Sequence, residues 1–173
     1  IGTICGWLYF VSEHASEALA YAIGARPVVK AMLAGLALAI CGTVLPYTMF
    51  AGETQADVLM ETYLTIPAGV LIATGLVKAM LTPALINLGW RGGHFFPVIF
   101  SGVSLGYGLA ILTGADPVFC VAVCTASTMG AVMRQPVMVV GLLLMCFPLK
   151  GIVCMIIAAV IAAGIPLPKS LRK

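Results

Sequence analysis

The chain has 173 residues, of which 62% are hydrophobic and 9% charged, and its mean hydropathy is +1.14. Soluble domains carry about 25% charged residues, so a water-soluble globule of this size is excluded, and a disordered chain is excluded because almost every segment favours burial. The net charge of +3, from nine Lys+Arg and six Asp+Glu, is too small and too scattered for a nucleic-acid footprint. The class left is an integral membrane protein in contact with the lipid bilayer.

The chain begins at Ile1 without an initiator Met, and no basic stretch precedes an apolar one at its front. It is read as a fragment of something longer or as a processed product. Uncharged runs at 31–52, 62–77, 92–115, 117–133, 135–149 and 151–168 mark the membrane segments. A straight spanning helix needs about 20 apolar residues, and about 10–14 suggests a buried or re-entrant segment. Several runs fall short and abut with almost no polar loop. Prolines, including Pro67, Pro83, Pro97, Pro117, Pro136 and Pro148, punctuate them. The pattern predicts an all-α membrane fold of tilted and half-spanning helices packed in protein.

Taken in order, helices are predicted over 1–24, 28–45, 56–66, 68–86, 97–112, 117–132, 136–147 and 151–164. The chain reads as a single transmembrane unit over 1–173, with a basic tail at 169–173 for which the positive-inside rule favours the cytoplasm. Glu13, Glu17 and Tyr21 share one face of the first helix with His14 beside it. A proton path or metal site is conceivable there, and a solvated or interfacial face is the plainer reading. The segment Glu53 to Glu61 holds three of the six acids and reads as a polar surface loop plus a short helix. Trp7, Tyr9, Tyr21, Tyr47, Tyr63 and Trp90 fall near span ends and fit interfacial belts. Gly102, Gly106 and Ala110 recur at four-residue spacing, which permits close helix packing.

The six cysteines lie in apolar stretches rather than in the loops of a secreted disulfide scaffold. Cys120 and Cys124 share a helix face, with Asp116 one turn before them. No further ligand follows at metal spacing, so they read as core residues, and no metal or other cofactor is expected. There is no G-x-S-x-G, no useful Cys/His pair and no G-x-x-x-x-G-K loop, so an enzyme is not expected.

The most informative stretch is Gly89-Trp90-Arg91-Gly92-Gly93-His94-Phe95-Phe96-Pro97. Two glycines let the backbone turn and approach a ligand closely, and Pro97 suits the first turn of a helix. The run from Val98 to Leu112 is uncharged. A helix that starts inside the membrane zone offers unpaired N–H groups and a positive dipole end, which together attract an anion without formal charge. The same pattern also fits a plain helix start stabilised by a turn and a proline. His94 could titrate near neutrality and tune an anion site, or it could contribute only its N–H while its ring points away. Lys78 and Arg134 are charges in apolar surroundings: Lys78 is a pathway candidate, and Arg134 sits where it could reach helix-end carbonyls or snorkel. Arg91, just before the Gly-Gly turn, could set a positive potential at a vestibule.

Gly93-His94-Phe95-Phe96-Pro97 resembles the G-x-F-x-P motif of the CLC chloride channel and chloride/proton antiporter family. Upstream, Leu76-Val77-Lys78-Ala79-Met80 is similar to the basic-residue helix that leads into that motif. Downstream, Gly102-Val103-Ser104-Leu105-Gly106 resembles the small-residue helix after it, and Met129 to Val137 resembles the family's "GMAA…RAP" turn. Order and spacing hold from about residue 30 to 168, and Arg91-Gly92-Gly93 is similar to a divergent bacterial branch of ion-transport proteins.

The resemblance implies the second half of an inverted repeat, completed by the N-terminal half of the same protein. The first-half motifs G-S-G-I-P and G-K/R-E-G-P do not occur here, so the gating glutamate is assigned to no residue of this chain. It implies that the backbone amides of Gly93, His94, Phe95 and Phe96 hold the anion, with His94 and Phe95 facing it and Gly93 and Phe96 shaping the turn. It also implies transport of a small inorganic anion, chloride being the expected one, by a channel or an anion/proton antiporter. The protein would be a multi-pass homodimer in a bacterial inner membrane, joined through the helices at 117–132 and 136–147. Three positions depart from the pattern: Pro168 stands where the family often has a tyrosine, Met145 near a usual acid, and His94 at a usual aliphatic residue. The absent tyrosine and acid motivate the alternative of a non-transporting membrane protein on the same fold, acting as an assembly or regulatory partner.

Overall fold

A computed structural model describes residues 1–49, 51–147 and 151–166, so the basic tail and Pro168 lie outside the described residues. The described chain is helical, with α1 (Gly2–Ile23), α2 (Pro27–Val44), α3 (Glu53–Thr62), α4 (Ala68–Asn87), α5 (Phe95–Thr113), α6 (Pro117–Met133), α7 (Pro136–Cys146) and α8 (Ile152–Gly164). Short 3₁₀ turns at Pro46–Thr48 and Tyr63–Thr65 precede α3 and α4. Proline opens α2, α6 and α7, where its missing N–H is an unpaired position anyway. The fold is that of an all-α membrane protein.

Two helices start two or more residues earlier than the sequence indicates. α3 begins at Glu53 rather than residue 56, because Gly52 supplies a left-handed turn (φ 106°) and Glu53 suits the positive end of the helix dipole. After Thr62 the chain tightens into the 3₁₀ turn rather than continuing to 66. α5 begins at Phe95 rather than at Pro97, since a proline at the third helical position still removes only an N–H that has no intrahelical acceptor.

α5 and α6 form the centre. α5 packs between α4 and α6, and α6 also packs on α1 and α8. Gly102 and Gly106 make the α5–α6 approach possible: a Cβ at Gly102 would overlap the backbone of Thr125, and one at Gly106 the backbone of Val121. At Gly130 the same holds against Ala159 of α8, whose carbonyl oxygen would lie 2.6 Å from an added Cβ. Ser104 Oγ donates to Leu71 O at 2.7 Å and pins α5 to α4. The main apolar core joins Tyr9, Val98, Met129, Leu143 and Met155. Tyr9 therefore belongs to the interior, not to an interfacial belt: its face of α1 is the one that packs inward. Tyr63 stacks on Tyr107 at 4.5 Å between ring centres. Tyr21, by contrast, is 89% exposed.

Asp116 is the N-cap of α6 and accepts from the Val118 N–H at 2.9 Å, which explains the acid one turn before Cys120 without a metal. An Asp116→Ala variant is expected to lose about 1 kcal/mol of stability. A thermal unfolding midpoint that does not fall would show that the cap contributes nothing.

Three helices are long and apolar enough to cross a bilayer, namely α2, α4 and α5. α6, α7 and α8 have 17, 11 and 13 residues. At 1.5 Å per residue they reach about 25, 16 and 20 Å, short of a hydrocarbon core of about 30 Å. In α2 only Ala34 is buried, while Val28, Met32, Leu36, Ile40 and Val44 are exposed, so its apolar surface is covered by little of the described chain.

Candidate anion site

The site is built where α4 ends and α5 begins. Leu88 N–H donates to Ala84 O at 3.1 Å and Trp90 N–H to Leu85 O at 3.0 Å, which closes α4. Gly89 takes φ 100°, a left-handed value that reverses the chain there. Arg91, Gly92 and Gly93 follow as an exposed stretch, and His94 is the N-cap of α5. The first α5 hydrogen bond runs from Val98 N–H to His94 O at 3.1 Å. Among the described residues, no carbonyl or side chain accepts from the N–H groups of Gly93, His94, Phe95 or Phe96. This leaves the electropositive end of α5 uncapped, next to the glycine turn.

A cavity of about 280 Å³ opens beside this turn. Arg91, Gly92, Gly93 and Pro97 line it from one side, Lys78 and Thr82 from α4, and Thr48 and Met49 from the 3₁₀ turn region. Leu38 of α2 and Leu81, Leu85 and Ile86 of α4 supply apolar wall. Lys78 of α4 thus meets Arg91 and Gly93 of the following turn at one cavity. His94, Phe95 and Phe96 are not among its lining residues. The His94 ring stacks on Phe95 at 5.3 Å, and Phe95 and Phe96 are 38% and 53% exposed.

Lys78 is buried, at 4% exposure. An ammonium in such surroundings needs hydrogen-bond acceptors to offset its lost hydration. It donates to Thr48 O at 2.6 Å and to Met49 O at 3.4 Å, and its Nζ lies 5.9 Å from the centre of the Phe100 ring. The cation therefore ties α4 to the turn that ends α2. The hydroxyl of Thr82 donates to Lys78 O at 2.8 Å and that of Thr48 to Leu45 O at 2.7 Å. Arg91 is exposed at the edge of the cavity. Two cations and an uncapped helix start give this region a positive potential.

The other singled-out residues serve elsewhere. Arg134 ends α6 in a left-handed conformation (φ 57°), and its Nη1 donates to Ala163 O at 3.4 Å, near the end of α8. The Glu13–Glu17 face belongs to α1, whose polar seam meets α4: Ser12 Oγ donates to Met80 O at 2.6 Å, and Asn87 Nδ2 donates to Glu13 O at 3.0 Å and Ser16 Oγ at 2.9 Å. Cys124 is buried and Cys120 partly so. Among the described residues no three His, Cys, Asp or Glu side chains gather at metal distance. The hydroxyls of Thr125 and Thr128, buried on α6, have no hydrogen-bond partner among the described residues, a feature the sequence did not flag.

No curated protein and no solved structure matches the chain. A protein-family description, voltage gated chloride channel, matches residues 1–166, which takes in every helix and the whole of the Gly-rich turn. With nearly its entire length matched, the chain belongs to the voltage gated chloride channel family.

Proposed function

We propose that this chain supplies the second half of an anion pathway, in which a small inorganic anion, chloride foremost, is held by the amides at the start of α5 and drawn in by Lys78 and Arg91. The observation that carries the reading is the single cavity shared by Gly93, Pro97, Lys78 and Arg91. Desolvating an anion in a membrane is expensive, and unpaired N–H groups at a helix start offset that loss without a cation so close that it holds the ion fast. Gly93 presents its backbone without a side chain in the way. Of the four amide positions Gly93 alone lines that cavity, and the N–H groups of His94, Phe95 and Phe96 join the site from the adjoining uncapped helix start. The family consists of channels and transporters, and no covalent chemistry is proposed.

The same proposal gives the apolar surface of α2 to the N-terminal half of the protein. It gives the homodimer contact to α6 and α7, whose exposed apolar residues include Val118 and Phe119 on α6 and Val137 and Met145 on α7. The full-length protein in chloride-loaded liposomes is expected to release chloride well above protein-free vesicles. Release no faster than from empty vesicles overturns the reading and leaves the assembly or regulatory role.

A further inference from the structure

We propose that Asn87 is a positioning residue for the anion site, acting through α1. This rests on the transport reading above.

The turn from Arg91 to Gly93 has few means of holding itself in place. Among the described residues, no backbone N–H in this stretch donates to a carbonyl, and Gly92 and Gly93 have no neighbour within 4 Å of where a Cβ would stand. A segment with neither hydrogen bonds nor packing of its own is placed by its two ends. The downstream end is α5, fixed by its glycine contacts with α6. The upstream end is the last turn of α4, and Asn87 is its final residue.

Asn87 directs both amide protons into α1, one to Glu13 O at 3.0 Å and one to Ser16 Oγ at 2.9 Å. The Ser16 hydroxyl is itself oriented, since it donates to Glu13 O at 3.0 Å. Ser16 is buried. The result is a closed triangle of amide, hydroxyl and carbonyl, which locks the rotation of α4 just before the chain leaves it. Such interhelical side-chain bonds are the principal polar adhesive between membrane helices. Arg91 and Gly93 follow within two turns' length of chain, so a rotation of the α4 end displaces their backbone relative to Lys78, which sits higher on the same helix and is held by Thr48 O. The clamp thereby sets the spacing between the two sides of the cavity. It also makes α1, which does not line the cavity, a lever on it.

The test uses the full-length protein in liposomes, with initial chloride efflux measured against chloride concentration. Asn87→Leu keeps the approximate shape and removes both donors without adding a charge. It is expected to raise the half-maximal chloride concentration about fivefold, with a smaller change in maximal flux; at 1.4 kcal/mol per tenfold, fivefold corresponds to about 1 kcal/mol, the scale of one interhelical hydrogen bond. Ser16→Ala is expected to raise it about twofold, and the double variant to be no worse than Asn87→Leu alone, because both act through one clamp. A purely structural role would lower the amount of folded protein or the maximal flux and leave the half-maximal concentration in place, and that result overturns the proposal. If Asn87→Leu does not fold, Ser16→Ala decides: an unchanged half-maximal concentration overturns it. Absence of chloride flux in the unaltered protein overturns the transport reading and this one with it, whereas normal flux with unmoved half-saturation overturns this one alone.

Discussion

Gly106→Leu is expected to cost about 3 kcal/mol or more of stability and to abolish the native α5–α6 contact. An added Cβ would run into the backbone of Val121, not into the flexible end of a side chain, so neither helix can yield by changing a rotamer. Gly102 makes the same demand on Thr125 one turn away, so the two sites lie along one line of contact. Because α5 begins at the proposed anion turn, a shift of its axis carries Gly93 and Pro97 with it, and on that proposal transport should be lost together with stability. Gly69→Ala is the comparison: nothing lies within 4 Å of an added Cβ there, and the change should fall within about 0.5 kcal/mol of the parent. Unfolding midpoints in detergent for both variants check the expectation. A Gly106→Leu protein as stable as Gly69→Ala would show that the close approach of α5 and α6 does not hold the fold.

Lys78→Met should lower anion flux by about tenfold or more and cost roughly 1–3 kcal/mol of stability. Two consequences follow from the loss of one ammonium. The carbonyls of Thr48 and Met49 lose a charged donor inside the protein, and the turn between α2 and α3 loses its tie to α4. The cavity that Lys78 shares with Gly93 also loses one positive charge from its wall, which lowers its positive potential. Methionine approximates the length of the aliphatic stem, so the effect reports on the charge, its hydrogen bonds and its approach to the Phe100 ring. Flux at several chloride concentrations and an unfolding midpoint distinguish the two. A variant with unchanged flux and lowered stability would confine Lys78 to a structural tie and remove it from the pathway.

The helices were legible because their stops are written in residues with strong backbone preferences. Pro117 and Pro136 open their helices where the sequence indicates, and Gly114 closes α5 in a left-handed turn. Local composition misplaces α3, since the acidic stretch from Glu53 reads as loop until Gly52 is seen to supply the turn and Leu59 to be fully buried against Phe100 and Leu71. Tyr9 misleads for a related reason: its position in the chain fits a belt, and only the packing of α1 on its neighbours decides that its ring faces inward. The Gly-rich turn of the site was legible because it is contiguous. The partners of Lys78 were not, because they are backbone carbonyls about 30 residues away, and a carbonyl leaves no mark in a sequence. The Asn87–Ser16 clamp joins residues 71 apart and was equally invisible.

The brevity of α6, α7 and α8 has an electrical consequence. Voltage across a membrane drops over whatever low-dielectric thickness separates the two aqueous phases, and a helix of 11 residues such as α7 covers only about half of that thickness. Where such segments replace full spans, the insulating layer narrows and the drop of about 2.3 kcal/mol per elementary charge per 100 mV is compressed into a shorter distance. An ion crossing there would meet that drop over a shorter distance than the full hydrocarbon thickness. Its occupancy would then respond to voltage although no charged helix moves.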